Sequence, residues 1–286
     1  MHKKDKDNKK MKYERRDERC LSTEELDGML QEFDASMLTM DSMVYTVAPR
    51  RAGKNCCIES LIHQFRKHLR PTAIFLFSKS NAGFPGIPKS YRFRTLANFE
   101  KIIQLQLKVK RHNVKQKKES DMVESRVICI IDDFIDGNKN VRTSKSLIRM
   151  SSMGRHIAEG DVGLKNNGIM TIILSQDITM CPPVIRKNID FLITTKVADR
   201  LQRKAMVEQY MCLFTGRHGL RESYNLYDVC TLREYQFLII NATCSNKFDY
   251  DDYCYKYIAI APDKLPKEKW TGNQSDWDNH ELEIIW

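Results

Sequence analysis

No stretch of this 286-residue chain approaches the roughly 18 consecutive apolar residues that a membrane-crossing helix needs, so no membrane span is expected. The nine cysteines include no CxxC pair and no histidine partner at zinc-finger spacing. That pattern indicates neither a structural zinc nor a disulfide framework, and free thiols in a reducing compartment are the expectation. Residues 1–19 alternate Lys, Asp, Glu and Arg without the apolar core of an export signal. With too few apolar side chains to offset the entropy of ordering, 1–20 reads as a flexible basic tail. The sequence carries no internal repeat. These absences describe a soluble, intracellular protein.

What the chain does have is basic charge and a regular alternation of apolar runs. Lys plus Arg number 47 against 37 Asp plus Glu, a formal net charge of +10, which favours a polyanionic partner such as nucleic acid. The length suits one main domain with a sizeable core. Over 21–40 a helix is expected: Ser22 caps, Glu25 completes a capping box, and Leu26, Met29, Leu30 and Phe33 repeat at helical spacing. Apolar runs then recur at 43–47, 73–77, 127–131, 169–174 and 191–195, separated by helical segments. Runs of that length suit strands covered on both faces, and helical connections make them parallel. Two further β-rich runs, 236–242 and 255–261, form a C-terminal antiparallel hairpin. The reading is an α/β domain over 41–261, a central mainly parallel sheet flanked by helices, followed by a polar, acidic extension at 262–286 that carries Trp270, Trp277 and Trp286.

The first chemical signal follows the first strand. Ala48, Pro49, Arg50, Arg51, Ala52, Gly53, Lys54, Asn55 and Cys56 form a small-residue turn entering a helix-like run. A triphosphate needs backbone N–H groups converging at a helix N-terminus, a glycine where bulk would block approach, and a lysine over the β- and γ-phosphates. Gly53 and Lys54 meet those requirements. The match to GxxxxGK[ST] departs twice, with Ala48 for the first glycine and Asn55 for the hydroxyl that ligates Mg²⁺. An amide carbonyl is also a hard oxygen donor, so Asn55 is a candidate metal ligand.

A buried-strand pattern ends in Asp132-Asp133. Asp132 at the strand tip suits the water shell of Mg²⁺, and Asp133 suits the attacking water. A third strand ends in Ser175-Gln176, whose amide can sense a γ-phosphate or hold the attacking water. Downstream, Pro182-Pro183-Val184-Ile185-Arg186 puts a rigid proline pair before Arg186, a candidate arginine finger acting across a subunit interface; Arg155 is its rival.

The phosphate loop, the Ser78-Lys79-Ser80 strand end, Asp132-Asp133, Gly154-Arg155-His156, Ser175-Gln176 and the 182–190 run occur in the order seen in genome-packaging ATPases of large DNA viruses. Over about 40–260 the chain thus resembles that branch of the FtsK/HerA superfamily. The resemblance implies a RecA-like P-loop NTPase fold, ATP and Mg²⁺ as cofactors, and a homo-oligomeric ring. It also implies translocation of double-stranded DNA into a preformed capsid, a capsid or portal-vertex protein as partner, and location in host cytoplasm or viral factory or with the virion. For the DNA backbone, the segment 101–118 stands out: Lys101, Lys108, Lys110, Arg111, Lys115, Lys117 and Lys118 occur there with no acidic residue. Phe99, Ile102, Ile103 and Gln106 make part of it one helix face. Alternative readings are another motor of the superfamily, a degenerate P-loop subunit that binds DNA or capsid, and a small-molecule kinase.

Overall fold

The computed structural model describes residues 22–80, 83–134, 144–158, 167–211, 219–244 and 253–278. The tail at 1–20 and Trp286 lie outside the described residues. Among the described residues nine strands form one sheet: β1 (Gln31–Glu32), β2 (Met43–Val47), β3 (Ala73–Ser78), β4 (Arg92–Phe93), β5 (Arg126–Asp132), β6 (Gly168–Ser175), β7 (Phe191–Thr194), β8 (Gln236–Asn241) and β9 (Cys254–Ile258), in the order β1-β9-β8-β7-β2-β6-β5-β3-β4. The sheet is parallel except where β8 pairs antiparallel with β7 and β9. The apolar runs therefore become the mainly parallel sheet with its C-terminal hairpin that they predict.

Alternation along each strand divides the core into two. Tyr45, Val47, Phe75, Phe77, Cys129, Ile131 and Ile173 face one side, where α1 (Thr23–Met29), α3 (Ala97–Lys115), α4 (Lys145–Ala158), α6 (Arg200–Tyr210) and α7 (Gly219–Cys230) supply further core residues. Val44, Ile74, Leu76, Ile128, Ile130, Ile172 and Leu174 face the other, against Ile58, Leu61, Ile62 and Phe65 of α2 (Lys54–Leu69). Burial on both faces explains why the strands read as unbroken apolar runs.

The order of strands also locates a crevice. From β2 the chain crosses to β3 on one side, whereas β7 lies on the other, so neighbouring connections leave the centre in opposite directions. Ligands of open α/β sheets bind beyond the carboxyl ends of strands at such a switch.

The helix expected over 21–40 is shorter. Its capping box forms, with Ser22 N donating to Glu25 Oε2 at 2.8 Å and Glu25 N to Ser22 Oγ at 3.2 Å. It ends at Met29, and Leu30 is extended. The sheet edge offers better partners than another helical turn: β1 pairs with β9, Phe33 N donates to Lys256 O at 2.9 Å, and the Phe33 ring packs edge-on to Phe191 and Tyr255.

Residues 263–278 form a strap along the opposite edge that includes the short helix α8 (Gln274–Asp278). Trp270 N donates to Gly86 O at 2.8 Å, and its indole occupies the space that a Cβ on Gly86 would need, 2.2 Å away. Ile74 N donates to Thr271 Oγ1 at 3.1 Å, and Glu268 pairs with Arg66. The apolar burial of Trp270 and this backbone bond hold a segment whose composition alone reads as polar.

Candidate functional site

Central β2 is buried along its whole length and delivers the chain to the crevice at Ala48, which is fully buried. Ala48 N donates to Ser175 O at 3.2 Å, so the loop starts as an extension of the β2–β6 ladder. Ala52 N closes a turn on Pro49 O at 3.2 Å; Arg51 (φ 66°) and Gly53 (φ 84°) are both left-handed. Gly53 caps α2 without a side-chain hydrogen bond, and the first turn of this 16-residue helix holds no acidic residue. Its N-terminal N–H groups and dipole are thereby left for an anion.

Three strand tips meet this loop at one level, because Ser78 pairs with Asp132 and Asp132 with Leu174 in neighbouring strands. Lys54 is buried, with Nζ 3.6 Å from Asp133 Oδ1. Gln176 Nε2 donates to the same oxygen at 3.2 Å. Asp132 is 4% exposed, and Ser78 Oγ donates to its Oδ2 at 3.4 Å. Asp133 takes φ 54°, a turn that separates the directions of two consecutive carboxylates. Phosphate loop, Lys54, Asn55, Asp132, Asp133 and Gln176 all line one cleft of 840 Å³. Asp132, Ser80 and Asn55, which line the cleft, offer carboxylate, hydroxyl and amide oxygens, a hard donor set that fits Mg²⁺. Among the described residues no group of three or more His, Cys, Asp or Glu is arranged to hold a metal ion.

The far wall of the cleft was not legible in the sequence. Thr195, Lys196, Leu232, Arg233, Tyr235 and Pro262 come from the segments after β7, before β8 and after β9. Buried Gln236 builds the turn before β8, accepting from Arg233 N at 3.1 Å and donating to Val229 O at 3.2 Å. Tyr235, at φ 58°, presents its ring 3.8 Å from where a Cβ on Gly53 would lie. Its phenol is shifted upward, chiefly by the negative charge of Glu234, and stays protonated. A protonated, partly exposed ring beside a phosphate loop is a platform for a planar base. The only sequence signal for it was an aromatic residue just before a strand. Cys56 also lines the cleft, but burial pushes its thiol up to about 11 and Sγ contacts Ile260 O at 3.2 Å, so it is no nucleophile.

Other candidates lie elsewhere. Arg186, in the four-residue helix α5 (Pro183–Arg186), donates to Gln209 Oε1 at 2.7 Å and to Cys181 O at 3.1 Å, clamping α5 to α6 rather than lining its own subunit's cleft. The side chain of Arg155 lies outside the described residues. The basic segment forms most of α3 and the loop leading to β5, and its later part, from Arg111 to Lys118, lies at the end of the sheet opposite the cleft. Phe99, Ile102, Ile103 and Gln106 form its buried face as predicted, and Lys101, Lys108, Arg111, Lys115, Lys117 and Lys118 are exposed, with Lys110 half-buried.

No family model matches the chain. The genome-packaging NTPase B204 of Sulfolobus turreted icosahedral virus 2, solved with ATPγS, superposes over 78% of this chain and 100% of its own, with a TM-score of 0.50 and 16% identity. The fold is that of a P-loop NTPase. A monomeric form of the pCW3 conjugation coupling protein TcpA with ATPγS is a further neighbour, with a TM-score of 0.47 and 15% identity over 77% of this chain and 60% of that one. In sequence, uncharacterized protein L437 of Acanthamoeba polyphaga mimivirus is 21% identical over 195 residues. The match covers 66% of this chain and 64% of that relative, so the chain spans less than two thirds of the relative's length.

Proposed function

We propose that this protein is an ATPase that drives double-stranded DNA into a preformed viral capsid. The observation that carries the nucleotide part is the meeting of Lys54, Asp132, Asp133 and Gln176, from three separate segments, around the N-terminus of α2 in one cleft. Lys54 exchanges its long contact with Asp133 for the β- and γ-phosphates, which frees Asp133 and Gln176 to hold the attacking water. Asp132, fixed by Ser78, holds Mg²⁺, which supplies charge neutralisation on the transferring phosphoryl group. The Tyr235 ring stacks on the base.

The packaging part is supported by the fold shared with a viral genome-packaging NTPase and by the exposed basic segment on α3. A homo-oligomeric ring on the capsid, at a portal-vertex protein, completes this reading, with Arg186 acting in trans once released from Gln209. It places the protein in host cytoplasm or viral factory, or with the virion. The test is ATP turnover by purified protein with and without linear duplex DNA. The wild type is expected to be stimulated by DNA and Lys54→Ala to lose about 100-fold or more; equal turnover by Lys54→Ala would refute the assignment.

A further inference from the structure

Asn55 stands where a P-loop needs a hydroxyl, and its side chain lies against Gly83. Its amide packs on the backbone of Gly83: a Cβ there would lie 2.5 Å from Nδ2 and 3.5 Å from Cγ. Gly83 is also left-handed, at φ 81°, so glycine is required there twice. The segment that Asn55 touches is firmly held. Phe84 N donates to Glu59 Oε1 at 2.7 Å, Arg92 Nη2 donates to Phe84 O at 2.6 Å, and Gly86 lies under Trp270. Asn55, in the first turn of α2, thereby meets the chain that follows β3 at Gly83.

That chain carries Ser80, which lines the cleft together with Asp132. Ser78 ties the two: its Oγ donates to Asp132 Oδ2 at 3.4 Å, lies 3.4 Å from Ser80 Oγ, and accepts from Ser80 N at 3.2 Å. Ser78 is 4% exposed, so this link is protected from solvent, whereas Ser80 is open to the cleft.

We infer that the hydroxyl ligand to the nucleotide's Mg²⁺ has moved from the phosphate loop to Ser80 at the tip of β3, with Ser78 as the positioning residue and Asn55 as the brace. A neutral hydroxyl beside one carboxylate reproduces the hard oxygen pair that the ion takes from protein when phosphates supply the rest. The departure at Asn55 is then a relocation rather than a loss. The inference rests on the nucleotide reading above.

The test is Mn²⁺ binding to the full chain with a non-hydrolysed ATP analogue, followed by electron paramagnetic resonance, alongside analogue affinity without metal. Ser80→Ala is expected to weaken Mn²⁺ binding about tenfold or more, with metal-free analogue affinity unchanged. Ser78→Ala should weaken it by a smaller factor, and Asn55→Ser, which keeps a small polar group, should leave it well above the Ser80→Ala level. Ser80→Cys should bind Cd²⁺ more tightly than the wild type does while losing Mn²⁺ affinity, a shift that only a direct ligand produces. Wild-type Mn²⁺ affinity in Ser80→Ala, or no Cd²⁺ gain in a folded Ser80→Cys, would overturn the relocation alone. Failure of the wild type to bind the analogue with or without metal would overturn the nucleotide reading beneath it.

Discussion

The two ends of the sheet are built on opposite terms. At the end of the sheet that holds the cleft, Arg51, Asp133 and Tyr235 hold left-handed backbone, and Lys54 and Asp132 are buried charges. At the other end, Arg111, Lys115, Lys117 and Lys118, from the last turns of α3 and its following loop, are exposed. Left-handed backbone at a non-glycine residue costs roughly 1–3 kcal/mol, and it persists only where surrounding structure imposes it. Three such residues around one cleft mean that geometry there is fixed in advance, as directed hydrogen bonds to a phosphoryl group require. Loose, sequence-independent attraction to a phosphate backbone needs no such fixing, and exposed lysines on flexible stems provide it at little conformational cost.

If this contrast is sound, a single charge removed from the cleft should cost far more than one removed from the helix. Asp132→Asn keeps the shape and the contact to Ser78 but takes away the charge facing the metal. Turnover is expected to fall about 10²- to 10³-fold, the usual scale for removing one preorganised electrostatic contact. The measurement is steady-state phosphate release at saturating Mg²⁺ and ATP. A loss below about tenfold would mean that Asp132 is a structural acid and would erase the distinction between the two ends.

Tyr235 separates strain from chemistry. Tyr235→Gly removes both the ring and the penalty for left-handed backbone, so stability and binding should move apart. Thermal stability is expected to hold or rise, because glycine adopts φ 58° freely. ATP affinity is expected to drop about tenfold, since stacking of one base on an aromatic ring contributes roughly 1–3 kcal/mol. Inorganic tripolyphosphate, which has no base, should bind the variant as it binds the wild type. Equal weakening of both ligands would show that Tyr235 only shapes the phosphate loop.

The contrast also explains which parts of the molecule were legible in its sequence. Strands buried on both faces announce themselves as apolar runs, and the strand tips that follow them carry Asp132 and Gln176 into the cleft by register alone. Gly53 and Lys54 were legible because phosphate chemistry leaves few choices at a helix start. Tyr235 was not, since its place depends on Gln236 building a turn some 180 residues away from the loop that it faces. The brace between Asn55 and Gly83 was hidden for the same reason, as nothing local marks a glycine as the partner of one particular amide. Phe33 and Trp270 were hidden by a different competition: edge hydrogen bonds and ring packing override helical spacing in one case and polar composition in the other.

The basic end should respond weakly and in a different currency from the cleft. Replacing Lys115, Lys117 and Lys118 together by Gln leaves the buried face of α3 intact and lies far from Lys54, so ATP turnover without DNA should be unchanged. Each lost phosphate contact lowers the slope of log affinity against log salt by about 0.9, so the triple variant should bind duplex DNA with a slope shallower by up to roughly 3. The effect on affinity should be several-fold at low salt and should fade as salt rises, because screening already weakens exposed charges. Titration of a fluorescent duplex at several salt concentrations reads both quantities. An unchanged slope would remove this segment from the DNA path and send the search for that surface to the other exposed basic groups, including Arg50 and Arg51 on the rim of the cleft itself.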